Sequence, residues 1–173
     1  MESNLIFNKD FEANSIYVMK IYDADVSKVW DYFTQSELLD QWWAPKPWKC
    51  ETKTQDFKEG GVWLYAMAGP DGERHYTKVK YGEITEHRNF DRTDSFCDEN
   101  GNANADFPEV KWLFGFTGVE EGTKVTVNIH FPNGESLKNL LEMGFEGGFT
   151  MGLTQLEEIL DHLKIISFEN EKG

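Results

Sequence analysis

From Leu137 to Leu163 apolar residues return in steps of three or four: Leu137, Leu141, Phe145, Phe149, Leu153, Leu156, Leu160 and Leu163. That spacing marks one face of an α-helix, and at about 1.5 Å per residue the element approaches ~40 Å. A helix of that length with one apolar face needs a single broad partner surface. Gly144, Gly147, Gly148 and Gly152 interrupt the run, each costing roughly 1 kcal/mol against alanine in a helix interior. Such a helix either bends at its glycines or lets something approach very closely.

The rest of the chain supplies the surface. Residues 15–22 (SIYVMKIY) predict a first strand. Asp25 then caps a helix over about 26–33, with Val26, Val29, Trp30 and Phe33 on one face, and Ser36 caps a second short helix, 37–43, ended by Pro45 and Pro47. Beyond Trp48 the helical period disappears. Strands are predicted over 48–57, 61–68, 75–87, 90–98, 110–119 and 123–131, mostly joined by short turns such as KEGG, GPDG and EEG. Short joins leave no room for parallel crossovers, so the strands form one large curved antiparallel sheet. The terminal helix is the element long enough to cover it, which gives an α+β fold. Trp112, Phe114 and Phe116 share one strand face, as do Val125, Val127, Ile129 and Phe131. Strand 61–68 shows no plainly wet face, and a bulge near Gly82 reconciles the mixed parity of 75–87.

A formal net charge of −14, from 17 basic and 31 acidic residues, repels phosphate backbones and anionic lipid. Nucleic acid is therefore not an expected partner. No run approaches 18 apolar residues, and the first ten residues lack a basic start leading into an apolar stretch, so neither a membrane span nor a secretory leader is expected. Cys50 and Cys97, 47 residues apart, read as reduced thiols of a cytoplasmic protein, with a disulfide between them as the alternative.

The pattern resembles the helix-grip, START-like (Bet v 1-like, SRPBCC) proteins, in the branch related to the C-terminal domain of the activator of the Hsp90 ATPase. The resemblance is carried by V-x-x-V-W-x-x-F (Val26–Phe33), WWAP (Trp42–Pro45), GGVWLYAMAGPDG (Gly60–Gly72), YGEITEH (Tyr81–His87), GTKVTVNIHF (Gly122–Phe131) and GGFTMGLTQLEEIL (Gly147–Leu160). It implies a curved antiparallel sheet wrapped around a long C-terminal helix, with two short helices after the first strand and a cavity between helix and sheet. Residues 15–164 would form that single domain, with 1–14 an N-terminal extension and 165–173 a tail. Relatives in the wider superfamily bind lipids, sterols, hormones or polyketides, and a few are cyclases or dehydratases. The branch itself implies a stress-related or chaperone-related role, although 173 residues leave no room for the activator's further N-terminal domain.

Aromatic side chains are the expected cavity lining: Trp63, Tyr65, Trp112, Phe114 and Phe116 from strands, Phe145 and Phe149 from the helix, and Trp43 at the mouth. The competing expectation is that these rings simply fill the core. His75 and His130 are the histidines placed to point inward, while His87 and His162 read as exposed. Arg92, following Phe90 in a strand, is a candidate counterion for a ligand carboxylate. No HExxH, CxxC, GxSxG or phosphate-binding glycine loop occurs, so no catalytic residue, metal or cofactor is assigned. The leading expectation is non-catalytic binding of a small apolar molecule. The alternatives are a cyclase or dehydratase using His130, His75 or Tyr65 as acid–base groups, and a protein-interaction module presenting Trp43, Pro45, Pro47 and Trp48. Either a monomer or a homodimer fits the sequence.

Overall fold

Buried side chains alternate with more exposed ones along residues 15–22, 111–117 and 122–130, which sets the inner face of the sheet. The computed structural model describes residues 4–172. In chain order they form β1 (Leu5–Asp10), β2 (Ser15–Tyr22), α1 (Val26–Thr34), α2 (Ser36–Leu39), β3 (Lys49–Gln55), β4 (Val62–Ala68), β5 (Arg74–Thr85), β6 (Asn89–Cys97), β7 (Val110–Val119), β8 (Gly122–His130), α3 (Gly134–Glu142) and α4 (Phe145–Lys172). The strands make one eight-stranded antiparallel sheet in the order β1-β2-β8-β7-β6-β5-β4-β3. It curves around α4, the arrangement implied by the helix-grip resemblance.

Two expected boundaries move. Residues 5–10, read as part of an extension, pair with β2 as an edge strand, and residues 1–3 lie outside the described set. The hairpin turn is closed by Asp10, whose Oδ1 accepts from the amides of Glu12 and Ala13, a local bond that the short polar side chain makes readily. At the other end, residues 165–172 continue α4 instead of forming a separate tail. The strand predicted at 15–22 is thus the second of the chain.

Caps decide the short helices. Asp25 accepts from the Lys28 amide at 2.9 Å and starts α1. Ser36 does not cap α2; its own amide donates to Gln55 Oε1 at 2.8 Å, and the helix stops at Leu39. Trp42 and Trp43 therefore leave the helix and lie in the turn after it, both buried. The register of β5 against β6 shifts between Tyr81 and Ile84, a bulge around Gly82, where a Cβ would stand 2.0 Å from Asp91 Oδ1. The dry outer face of β4 has a cover: the 98–109 segment folds back over it, bringing Gly101 near Leu64 and setting Phe107 against Phe96 at 5.3 Å.

The long terminal helix is two helices. Asn133 caps α3 by accepting from the Ser136 amide at 2.8 Å, and the chain turns at Gly144, whose φ of +86° suits glycine. On α4, Phe149, Leu153, Leu156 and Leu160 are buried. Two cross-links tie the helix to β2: Tyr22 Oη donates to the Leu153 carbonyl at 3.0 Å, and the buried Lys20 ammonium pairs with Glu157 at 2.9 Å.

Gly152 explains the glycines better than a pressing sheet would. A Cβ there would stand 3.2 Å from the Trp42 carbonyl oxygen and 3.4 Å from that of Trp43, so the helix meets the WWAP turn, not a strand. Gly147 has nothing within 4 Å of its would-be Cβ. Gly147→Ala should raise stability by up to about 1 kcal/mol. Gly152→Ala should forfeit that gain and lower stability by ~1 kcal/mol, because the carbonyls it meets cannot swing away. Paired urea melts check both.

Candidate functional site

Parity places the site. Phe90, Arg92 and Asp94 alternate inward along β6, Trp112 and Phe114 along β7, and Tyr65 and Thr77 pair across β4 and β5. Toward the α1 end the interior is filled: Phe116 packs on Trp30 at 5.0 Å and on Phe33 at 5.5 Å, and Phe90 stacks on Phe114 at 4.6 Å. Toward the α3–α4 junction it opens into a pocket of about 400 Å³. The two expectations, filled core and cavity, hold at opposite ends of one sheet.

Trp43, Tyr65, His75, Trp112, Phe145 and Phe149 line this pocket. Trp43 meets Trp112 at 5.9 Å and Phe149 at 5.6 Å, while Phe145 and Phe149 stack at 5.2 Å. His75 sits exposed at the rim, its ring 5.7 Å from that of Trp48. Four expected lining residues are elsewhere. Trp63 lies beneath the pocket floor, its Nε1 donating to Thr52 Oγ1 at 3.0 Å. Phe114 packs below Arg92, and Phe116 belongs to the filled end. His130 is exposed because it has the parity opposite to Ile129, pairing with Ser15 and Lys111 at the end of β8. Trp43, expected in an exposed patch, is buried and only Pro47 and its neighbours reach solvent.

The WWAP turn is held as a pocket wall by Gln155 of α4. Its Nε2 donates to the carbonyls of Trp42 at 3.1 Å and Ala44 at 2.9 Å, and its Oε1 accepts from the Lys46 amide at 2.8 Å. Both Nε2 hydrogens and one Oε1 lone pair are thereby used, in a buried setting. Gln155→Leu should cost about 2–4 kcal/mol, since it leaves two carbonyls and an amide unmatched. Faster hydrogen exchange confined to residues 42–48 would distinguish this cause from general loosening.

Arg92 is the polar centre of the interior and is 1% exposed. Its guanidinium carbon lies 4.9 Å from the Trp43 ring, 5.6 Å from Trp63, 4.9 Å from Trp112 and 5.0 Å from Phe114, a cage of four π faces. Nη2 donates to Asp94 Oδ2 at 3.1 Å and Nε stands 2.9 Å from Oδ1. Arg92 thus points inward as expected, but its partner is Asp94 of the same strand and not a ligand. Asp94 does reach the pocket wall. Burial pushes its carboxyl up to about 6, against the opposing pull of Arg92. Burial, and then the Asp94 charge, push the Tyr65 phenol well above its ordinary range, and its oxygen accepts from Trp43 Nε1 at 3.0 Å. Asp94 and Thr77 escaped the sequence reading; the signal was the alternation Phe90-Arg92-Asp94 in a strand whose inner face is otherwise apolar.

Among the described residues no group of three or more His, Cys, Asp or Glu side chains is placed to hold a metal ion. Cys50 and Cys97 are free thiols. Among the described residues no helix is long and apolar enough to cross a membrane.

A sheet closed around a C-terminal helix, with a pocket where the two part, defines a helix-grip domain. The chain belongs to the family described as activator of Hsp90 ATPase homolog 1-like protein, whose model matches residues 23–161. Solved structures agree. The chain is similar to protein Ms6760 of Mycobacterium smegmatis, at 25% identity and a TM-score of 0.84 over 90% of this chain and 96% of that one. A protein of Arthrobacter aurescens is 28% identical with a TM-score of 0.86 over 92% and 93%. One from Staphylococcus epidermidis is 26% identical with a TM-score of 0.79 over 90% and 93%. No curated protein matches the chain.

Proposed function

We propose that this domain binds a small hydrophobic molecule, without converting it, in the pocket between α3–α4 and strands β4–β7. The observation that carries this reading is the pocket itself: about 400 Å³ walled by Trp43, Trp112, Phe145 and Phe149, within the size and character of ordinary small-molecule sites. Support for binding over catalysis comes from how its titratable groups are engaged. Tyr65 is held by Trp43, Asp94 is tied to Arg92, and His75 stands at the rim.

Thermal melts with a panel of neutral apolar compounds test the proposal, alongside quenching of tryptophan fluorescence. A binder at a hundred times its Kd should add about 2.7 kcal/mol to stability. Val110→Trp, which fills the pocket from β7, should abolish that gain, and the compound should be recovered chemically unchanged. Melts indifferent to the whole panel, or an identical response from the filled variant, would overturn the reading.

A further inference from the structure

We infer that the pocket selects ligands carrying a neutral or cationic hydrogen-bond donor at their buried end and rejects carboxylates. The inference rests on the ligand-binding reading above and adds a polarity to it. The pocket has two unlike walls. Trp43, Phe145 and Phe149 form the apolar side, and the sheet opposite sets Tyr65, Thr77 and Asp94 beside Trp112. Asp94 is 12% exposed, and the ionised carboxylate has roughly four acceptor sites. Within the protein it receives one aligned hydrogen bond, from Arg92 Nη2 to Oδ2; Oδ1 and Arg92 Nε, although 2.9 Å apart, lack hydrogen-bond alignment. Oδ1 is itself fully buried beside Arg92 Nε, so the acceptor capacity left to a ligand is the remaining lone pair of Oδ2, where a donor that excludes water is worth most.

Arg92 could have given the opposite selectivity, and geometry prevents it. Four rings enclose the guanidinium and Asp94 stands between it and the pocket. Arg92 itself does not line the cavity. A ligand carboxylate entering head-first would face the Asp94 carboxylate without reaching the cation behind it. The remaining charge-bearing candidate, His75, is at the exposed rim and can meet only the outer end of a ligand.

Three probes of one shape separate these effects: 4-hydroxybiphenyl, 4-methylbiphenyl and biphenyl-4-carboxylate, titrated at pH 7.5 by tryptophan fluorescence and calorimetry. The hydroxyl compound should bind roughly tenfold more tightly than the methyl compound, and more tightly still than the carboxylate. In Asp94→Asn the carboxylate should regain at least tenfold relative to the hydroxyl compound. If that variant does not fold, the ratios on the unaltered protein decide. Equal binding of hydroxyl and methyl probes, or tightest binding by the carboxylate, would overturn the inference and leave the hydrophobic-ligand reading standing. No binding by any of the three would remove both.

Discussion

Arg92→Met is expected to destabilise the protein by about 3–5 kcal/mol at pH 7, whereas Arg92→Met combined with Asp94→Leu should be neutral or stabilising. The single change strands a carboxylate against Trp43 and Trp112 with its one charged partner gone. The double change removes both desolvated charges and leaves shapes that the four rings can pack around. Asp94 also gives the effect a pH signature. Its folded-state value of about 6 lies above that of an unfolded aspartate, so between those values the folded chain holds a proton the unfolded chain has released. Its contribution is therefore greatest below about pH 4 and is lost as pH rises through ~6. The difference in stability between the natural chain and the double variant should fall by roughly 2 kcal/mol from pH 4 to 7. Urea melts across that range measure it; a flat difference, or a double variant as damaged as the single one, would refute the account.

Trp43→Ala should cost a similar ~3–5 kcal/mol and should also abolish ligand binding. This one ring touches Trp42, Trp63, Trp112 and Phe149, caps the Arg92 cage, and donates to Tyr65. Its loss opens the core to the pocket and leaves the Tyr65 oxygen without that donor. Trp43→Phe keeps the wall and the π face but drops the hydrogen bond, so it should retain binding and lose only about 1 kcal/mol. Comparing the two by thermal melts and by titration with 4-methylbiphenyl separates wall from bond. Retention of full affinity by the alanine variant would show that Trp43 is not a wall of the binding site.

Strand positions were legible because turn residues and alternation mark them directly: the six predicted strands after Trp48 correspond to β3–β8 within a few residues at each end. β1 was not, since LIFNKD is short and half polar and owes its form to pairing with β2. The apolar stripe of the terminal segment was real, yet periodicity runs through a break without registering it. Gly144 turns the chain while Leu141 and Phe145 keep the step of four. The site was half legible for a similar reason. Parity identifies which strand side chains point inward, as for Tyr65 and Trp112, and the helical stripe does the same for Phe149. It says nothing about where along the sheet the interior is full, and so Phe114 and Phe116 were assigned to a cavity that ends before them. Asp94 escaped because an inward carboxylate is explained only by the arginine two residues before it, facing the same way.

The sheet order carries a consequence for how the chain reaches this state. β3 to β8 follow one another as neighbours, so each joins its predecessor by closing a local loop, the longest of them the 98–109 segment. β2 instead pairs with β8, Ser15 lying opposite His130 and Tyr22 opposite Thr123, a union of distant segments that no local turn prepares. Closing so long a loop loses more chain entropy than any hairpin in the sheet, and topologies of this kind fold slowly for that reason. The Lys20–Glu157 and Tyr22–Leu153 contacts join equally distant parts of the chain, so the seam between the first strands and the last helix gathers the longest loop closures of this domain.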